Sequence, residues 1–372
     1  MKITCETNIL QDAVNAASEL ISEKMQNAVL KNIAFVAKND RLEIFATNLE
    51  VTLRIPVLRV DIEKEGSILL DAGRFSTILA NTDQPEITIE NKDNLAKIYF
   101  EGSNYELCTE DYDHFPNIES FGNTANCVSI PYEDFKEMVV KTHWAAAKEK
   151  GRYAINGILC KISSTDLTFV ATDKNRLAVI KKELEKGPKE PISDVIPTQA
   201  MRSSVKLSGV GQNILLKLRD NKIFIKTEKA EIYAQLVSGK FPPWEKILAS
   251  KAPGSDKFIE ISTSHFTKKL NQASIIRTKD SNSLKFSFDK DLLTLSARAA
   301  DVGSSKVNVN ISYDVQDPED AFSVAFNPKY ISEGLSKFSQ DRIKLKLKDG
   351  NSPAIFEEEN GLTYIVMPIF LS

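Results

Sequence analysis

The chain has 372 residues, of which 42% are hydrophobic and 27% charged, with a net charge of −3. This size favours two or three domains of roughly 100–200 residues, each with enough apolar residues for its own core, and the charge excludes a wholly basic nucleic-acid coat while allowing a locally basic face. No apolar run approaches the roughly 18–20 residues that span a bilayer, and the opening MKITCETNILQDAV turns polar and acidic too early for a signal peptide, so a cytoplasmic protein without a membrane partner is expected.

Four elements recur in the same order. The first is an amphipathic helix. ETNILQDAVNAASELIS (6–22) places Ile9, Leu10, Ala13, Val14, Ala17 and Leu20 at helical spacing, and PYEDFKEMVVKTHWAAA (131–147) and STSHFTKKLNQASIIRT (262–278) repeat it, with Thr263 or Ser264 expected to cap the third. The second is a hairpin of alternating apolar residues around a polar tip. LTFVATDKNRLAVIKK (167–182) has the shape of LEIFATNLEVTLRIPV (42–57), and LTLSARAADVGSSKVNV (293–309) is a fainter copy. The third is a strand running into a short helix: LLDAGRFSTILANT (69–82), VIPTQAMRSSVKLSG (195–209) and VAFNPKYISEGLSKFS (324–339). Asp, Pro-Thr and Asn-Pro stand where a helix start needs a cap or a first-turn proline. The fourth is a closing strand pair, and the first two of these end in the related phrases HFPNI and KFPPWEKIL.

The copies start about 125 and then about 131 residues apart, a domain-sized period. GNTANC (122–127) and SKAPGSDK (250–257) read as linkers, and KGPKEP (186–191) as an internal loop. The expected domains are therefore 1–125, 126–252 and 253–372. The expected class is α+β: three repeated domains, each with two helices packed on antiparallel sheets.

RYAINGILCKI, VATDKNRLAV, LVSGKFPPWEKIL and YIVMPIFL, taken together, closely resemble the bacterial DNA polymerase III beta subunit, the sliding clamp, and the likeness runs from Met1 to Leu371. The resemblance implies clamp-type domains in a head-to-tail homodimer, a ring of six domains with helices lining the hole and sheets outside. It implies a non-catalytic processivity factor that encircles double-stranded DNA without sequence preference. No cofactor and no metal are expected. The resemblance also implies a pocket in which the replicative polymerase, the clamp loader and repair proteins dock short hydrophobic peptide motifs.

Residues carry over where motifs match. For the partner pocket they are Ile155, Thr172, Lys174, Asn175, Arg176, Leu177, Pro242, Lys246, Ile247, Ser352, Pro353, Ile365, Met367, Pro368 and Ile369. Branched aliphatics and a methionine suit an adaptable apolar groove, with Arg176 and Lys246 expected to steer polar or acidic flanks of the peptide. Lys174 and Asn175 replace the family's common Gly-His pair, and Phe370 replaces a common Arg. Without the resemblance, each aliphatic residue reads equally well as core. For the dimer edge the residues are Tyr105 and Leu107 against Ile275 and Ile276, although Ile275-Ile276 also suits a core within its own domain.

The DNA-facing candidates are Lys24, Arg74, Lys148, Lys150, Arg152, Tyr153, Arg202, Lys206, Lys268 and Lys269, with Glu149 a departure from the neutral residue familiar in that loop. Across the six helix candidates (8–21, 72–81, 133–150, 197–208, 264–279 and 327–339) the net charge is +6, against −9 on the remainder. That segregation suits a face that tolerates phosphate through sequence-blind contacts, although surface helices often carry Lys and Arg for solubility alone.

The other chemistry-bearing residues point elsewhere. His114, His143 and His265 lack metal-ligand spacing, Gly209-Val-Gly211 lacks a third glycine, and Asp111 and Asp113 read as a solvated loop. Four well-separated cysteines read as reduced thiols. Two other classes remain open at this level: an enzyme with an unrecognised carboxylate site, and a monomeric peptide-binding adaptor.

Overall fold

The computed structural model describes the chain apart from Glu23, 125–126, Lys150, 250–257, 277–282, 313–320, Asn360 and 370–372. Copy one runs β1 (Lys2–Glu6), α1 (Thr7–Ser18), β2 (Asn32–Lys38), β3 (Arg41–Thr47), β4 (Val51–Val57), β5 (Val60–Lys64), β6 (Gly66–Asp71), α2 (Ala72–Ala80), β7 (Glu86–Lys92), β8 (Leu95–Phe100) and β9 (Ser103–Cys108). Copy two runs β10 (Val128–Pro131), α3 (Tyr132–Thr142), β11 (Gly157–Ile162), β12 (Asp166–Thr172), β13 (Arg176–Glu183), β14 (Ile192–Pro197), α4 (Thr198–Lys206), β15 (Asn213–Arg219), β16 (Lys222–Lys226) and β17 (Glu231–Gln235), followed by the short α5 (Trp244–Ala249). Copy three runs β18 (Ile259–Ser262), α6 (Thr263–Ala273), β19 (Leu284–Asp289), β20 (Leu292–Ala299), β21 (Gly303–Asn310), β22 (Phe322–Phe326), α7 (Pro328–Leu335), β23 (Arg342–Lys346), β24 (Ala354–Glu357) and β25 (Thr363–Val366).

The first helix of each copy is shorter than its apolar period suggests. Ser18 Oγ donates to the Val14 carbonyl at 2.7 Å, Thr142 Oγ1 to Met138 at 2.6 Å and Ser274 Oγ to Leu270 at 2.7 Å. A hydroxyl bonded four residues back competes with the backbone ladder, and α3 and α6 tighten there into 3₁₀ turns at His143–Ala145 and Ser274–Ile276. Asp71 and Asn327 cap α2 and α7 as expected, and Pro328 occupies the first turn of α7. Two capping expectations fail. Pro197 precedes α4 with no side-chain cap. The cap of α6 is Ser262, which accepts from His265 N–H, so neither Thr263 nor Ser264 has that role.

The chain divides into two compact units. The first is Met1–Lys136 with Lys186–Pro188 and Ile196–Leu236; the second is Glu137–Glu185, Lys189–Val195 and Val237–Ser372. The first unit holds a five-stranded sheet, β5-β1-β7-β8-β9, and an eight-stranded sheet, β10-β15-β16-β17-β4-β3-β2-β6. Helices α1 and α2 pack on each other there, with α1 over β3 and β4. Their contact faces bury Leu10, Val14, Ala17, Phe75 and Leu79. The second unit holds an eight-stranded sheet, β14-β11-β12-β13-β25-β24-β23-β18, and a four-stranded sheet, β21-β20-β19-β22. Helix α6 packs on α7, above a core in which the ring of Phe286 lies 6.5 Å from that of Phe266 and 5.3 Å from that of Phe326.

One pairing rule builds both eight-stranded sheets. The second strand of one copy's hairpin pairs antiparallel with the last strand of the next copy. In the first unit this is β4 with β17, Leu53 opposite Ile232. In the second it is β13 with β25, Leu177 opposite Ile365. The rule leaves two strands over: β9, the last of copy one, and β21, the second hairpin strand of copy three. Each ends its sheet, and both carry mostly exposed or half-buried side chains on both faces.

Candidate functional site

The hairpin tip between β12 and β13 organises the site. Asp173 Oδ1 accepts the N–H groups of Asn175 and Arg176 at 3.0 and 3.1 Å, an Asx turn. Thr172 Oγ1 donates to the Arg176 carbonyl at 2.6 Å and accepts from Lys174 N–H at 3.2 Å. The turn sets Lys174 at φ 79°, a conformation a non-glycine residue adopts only where its surroundings fix it. Asn175 then offers its carbonyl to the N–H of Met367, 2.8 Å away, so the chain beyond β25 is held to the tip.

Below the tip lies one apolar cluster. Leu177, Ile365, Leu159, Val170 and Ile355 from the sheet meet Trp244, and Ile247 and Phe241 pack on its margin. Thr172, Ile155, Leu177 and Ile365 are buried, Pro242, Ile247, Ser352, Pro353 and Pro368 are half-buried, and Met367 and Ile369 are exposed. The structure thus splits the expected pocket into a buried floor and a small apolar rim. Ile369 is fixed by its N–H to the Ala325 carbonyl at 2.7 Å. A cleft of about 370 Å³ reaches the same region from the β14 edge, between Val195, Lys161, Pro242 and Trp244.

Arg176 does not serve as the steering charge expected of it. Its side chain is only 10% exposed; Nε bonds Asp173 at 2.9 Å, Nη1 bonds Glu333 and Nη2 bonds the Trp144 carbonyl at 3.2 Å. The guanidinium also stacks on Trp144 and Tyr330, 5.1 and 4.6 Å from their ring centres. Burial works to lower its pKa, but the bond to Glu333 together with the charges of Tyr364, Asp173 and Glu333 outweighs it and holds the group above its ordinary value. Arg176 anchors the hairpin to α7. Lys174 and Lys246, in contrast, are exposed and have no ion pair among the described residues.

Three family models of the DNA polymerase III beta subunit match this chain: the N-terminal domain over 1–119, the central domain over 129–243 and the C-terminal domain over 253–370. The chain belongs to the DNA polymerase III beta subunit family. Among curated relatives, the beta sliding clamp of Chlamydia muridarum is 24% identical over all of this chain and 99% of its own length, and that of Vibrio cholerae is 24% identical over the full length of both. The crystal structures of the DNA polymerase III beta subunits of Pseudomonas aeruginosa and Thermotoga maritima superpose over the whole of both chains, each with a TM-score of 0.90, at 22% and 23% identity.

The DNA-facing and dimer-edge candidates lie on both units. Lys24, Arg74, Arg202 and Lys206 lie exposed in the first unit, where Lys206 is paired with Glu19. Lys148, Arg152, Tyr153 and Lys268 lie exposed in the second, Lys269 is half-buried there, and Lys150 lies outside the described residues, as do Arg277, Lys279 and Phe370. Tyr105 is 41% exposed on the free edge of β9, with Leu107 half-buried beside it. Of the isoleucine pair, Ile275 is 75% exposed on the turn next to β21, and Ile276 is half-buried.

One constellation has no local signal in the sequence. Lys141 of α3 is buried against Glu358, between β24 and β25, and also bonds Glu137 at 2.8 Å; Lys182 reaches Glu137 at 2.6 Å. Glu358 accepts further from Ser339 N–H at 2.9 Å and Leu362 N–H at 3.1 Å. Burial works to raise its pKa, but these donors outweigh it and hold the carboxyl below its ordinary value. Lys141 and Glu358 are 217 residues apart in the chain. Asp111 caps the turn Tyr112–His114 through Asp113 N–H, a local structural role.

Proposed function

We propose that two copies of this chain close head to tail into a six-domain ring that encircles duplex DNA without sequence preference. In this reading the ring is a non-catalytic processivity factor working in the cytoplasm. The groove at the β12–β13 tip docks short hydrophobic segments of the replicative polymerase, the clamp loader and repair proteins. The domains are 1–125, 126–252 and 253–372. The basic side chains on the helices and neighbouring loops provide sequence-blind phosphate contacts.

The observation that carries this reading is the pairing rule. It is satisfied twice within one chain and leaves β21 as donor and β9 as acceptor of a third, identical junction. In this reading a second copy supplies the missing partner for each of these strands, a heterologous contact that closes. Exposed edge strands are otherwise aggregation hazards, and Tyr105 and Ile275 are the large apolar side chains that such a junction would cover.

Sedimentation at low protein concentration tests it. One chain is 41.5 kDa, so the ring runs as a species of about twice that mass, retained on nicked circular DNA and released when the circle is linearised. A monomer that still binds peptides would replace the clamp reading with that of an adaptor. Ile275→Asp places a charge in the contact and is expected to split the dimer while peptide binding persists.

A further inference from the structure

We infer that Lys174 and Lys246 make the groove select peptides whose apolar anchor is flanked by an acidic residue, an inference that rests on the groove being a peptide dock. The charges around the site are unequal in what they leave free. Asp173 is held by Arg176 and by two backbone N–H groups. Glu333 is shared by Arg176 and Lys329, and Glu245 is bonded by Lys161 at 2.7 Å. These three carboxylates and Arg176 are engaged within the protein, while Asp194 and Lys240 line the cleft on its β14 side. Lys174 and Lys246 are exposed with no ion pair among the described residues.

Both lysines are tied to the apolar floor. Lys174 stands on the tip whose next residue, Asn175, holds the backbone of the exposed Met367. Lys246 precedes Ile247, which packs on the cluster of Leu177 and Ile365. Nor does the fold need a cation at the tip. The β3–β4 tip has the same architecture, with Asn48 Oδ1 accepting from Glu50 and Val51 N–H, Thr47 Oγ1 bonding the Val51 carbonyl and Leu49 N–H, and Leu49 at φ 69°. There the position equivalent to Lys174 is an exposed leucine. The charge at 174 is therefore free to act on a ligand, and an ammonium beside an apolar strip favours a carboxylate near the anchor.

The test uses a fluorescently labelled peptide with leucine and phenylalanine as its anchor, made with Glu or with Gln flanking that anchor, and measures the ratio of the two affinities on the full chain. The Glu form is expected to bind about two- to fivefold tighter per lysine engaged at low ionic strength, with the preference shrinking as salt is raised. K174G removes the charge and suits the positive φ, so it folds; the ratio falls toward one. K174E reverses it, and K246Q lowers it. Equal binding of both forms by the wild type, or a ratio unmoved by K174G and K174E, overturns the inference alone. Binding of neither form overturns the peptide-dock reading and the inference with it.

Discussion

The β4–β17 and β13–β25 junctions are built by one rule and finished in opposite ways. At the first, the chain after HFPNI turns inward. Phe121 is fully buried against Phe224 and Tyr233, with Ile118, Leu215 and Cys127 around it. Across the strands Arg54 bridges Glu43 at 2.6 Å and Glu231 at 3.1 Å, partly buried. At the second, the related phrase KFPPWEKIL places Trp244 and Ile247 on aliphatic partners, and the chain runs on past Val366 with Met367 and Ile369 uncovered. The ladder alone sets the fold; what covers it decides which junction is filled by an aromatic cluster, leaving only a cleft of about 180 Å³ beside the β3–β4 tip, and which presents an apolar rim. Two junctions of one topology differ in the surface they present through a few side chains.

Phe121→Ala breaks the contrast most severely. Removing a fully buried ring costs about 3–5 kcal/mol, read as a lower denaturant midpoint, and it opens an apolar cavity at the filled junction. Unchanged stability would mean that Tyr233 and Phe224 close the space unaided, and that Phe121 is not what fills it.

The ionic latches differ in burial, and that sets the next effect. Glu358→Gln leaves the Lys141 ammonium buried with Glu137 as its remaining carboxylate, at a cost of about 3 kcal/mol. Glu231→Gln, at the less buried Arg54 bridge, leaves Arg54 paired with Glu43 and keeps an acceptor for the Tyr233 hydroxyl, so it is expected to cost less, about 1–2 kcal/mol. Equal losses would show that burial does not distinguish the two. A pH titration sharpens the same point. Glu358 and Glu137 both have folded pKa values held below their ordinary value of 4.5. In each, burial opposes the shift; the Lys141 bond with the Leu362 and Ser339 N–H groups prevails at Glu358, and the Lys141 and Lys182 bonds prevail at Glu137. Their stabilisation is therefore complete above that value and is lost as pH falls through the lower folded values. Wild-type stability should drop on acidification in that window, and Glu358→Gln should flatten the drop.

Much of this was legible in the residues. Alternating apolar residues around Asn48 and Asp173 specify hairpins because the side-chain period of a strand is two and Asx turns bend the tip. Asp71 and Asn327 announce helix starts. The helix ends were hidden, because hydroxyls at Ser18, Thr142 and Ser274 act locally against a continuing apolar period. The two-unit division was hidden too, since it follows from β4 meeting β17 and β13 meeting β25, strands separated by more residues than any periodic signal spans. Arg176 read as a rim charge because sequence does not show that Trp144, Tyr330 and Glu333 converge on it, and the Lys141–Glu358 pair is likewise purely tertiary.

Met367→Ala is the smallest change and bears most directly on function. The side chain is 40% exposed and its backbone is fixed by the bond to Asn175, so truncation leaves the junction intact and stability within about 0.5 kcal/mol. A docked peptide loses part of an apolar contact, expected to cost about 1 kcal/mol, or fivefold in affinity. Leu49→Ala is the matched control: an apolar side chain 61% exposed at the same tip geometry of the filled junction. It should leave peptide affinity unchanged. Should both variants weaken the peptide equally, the two junctions would share the docking role, and burial of Phe121 would not be what separates them.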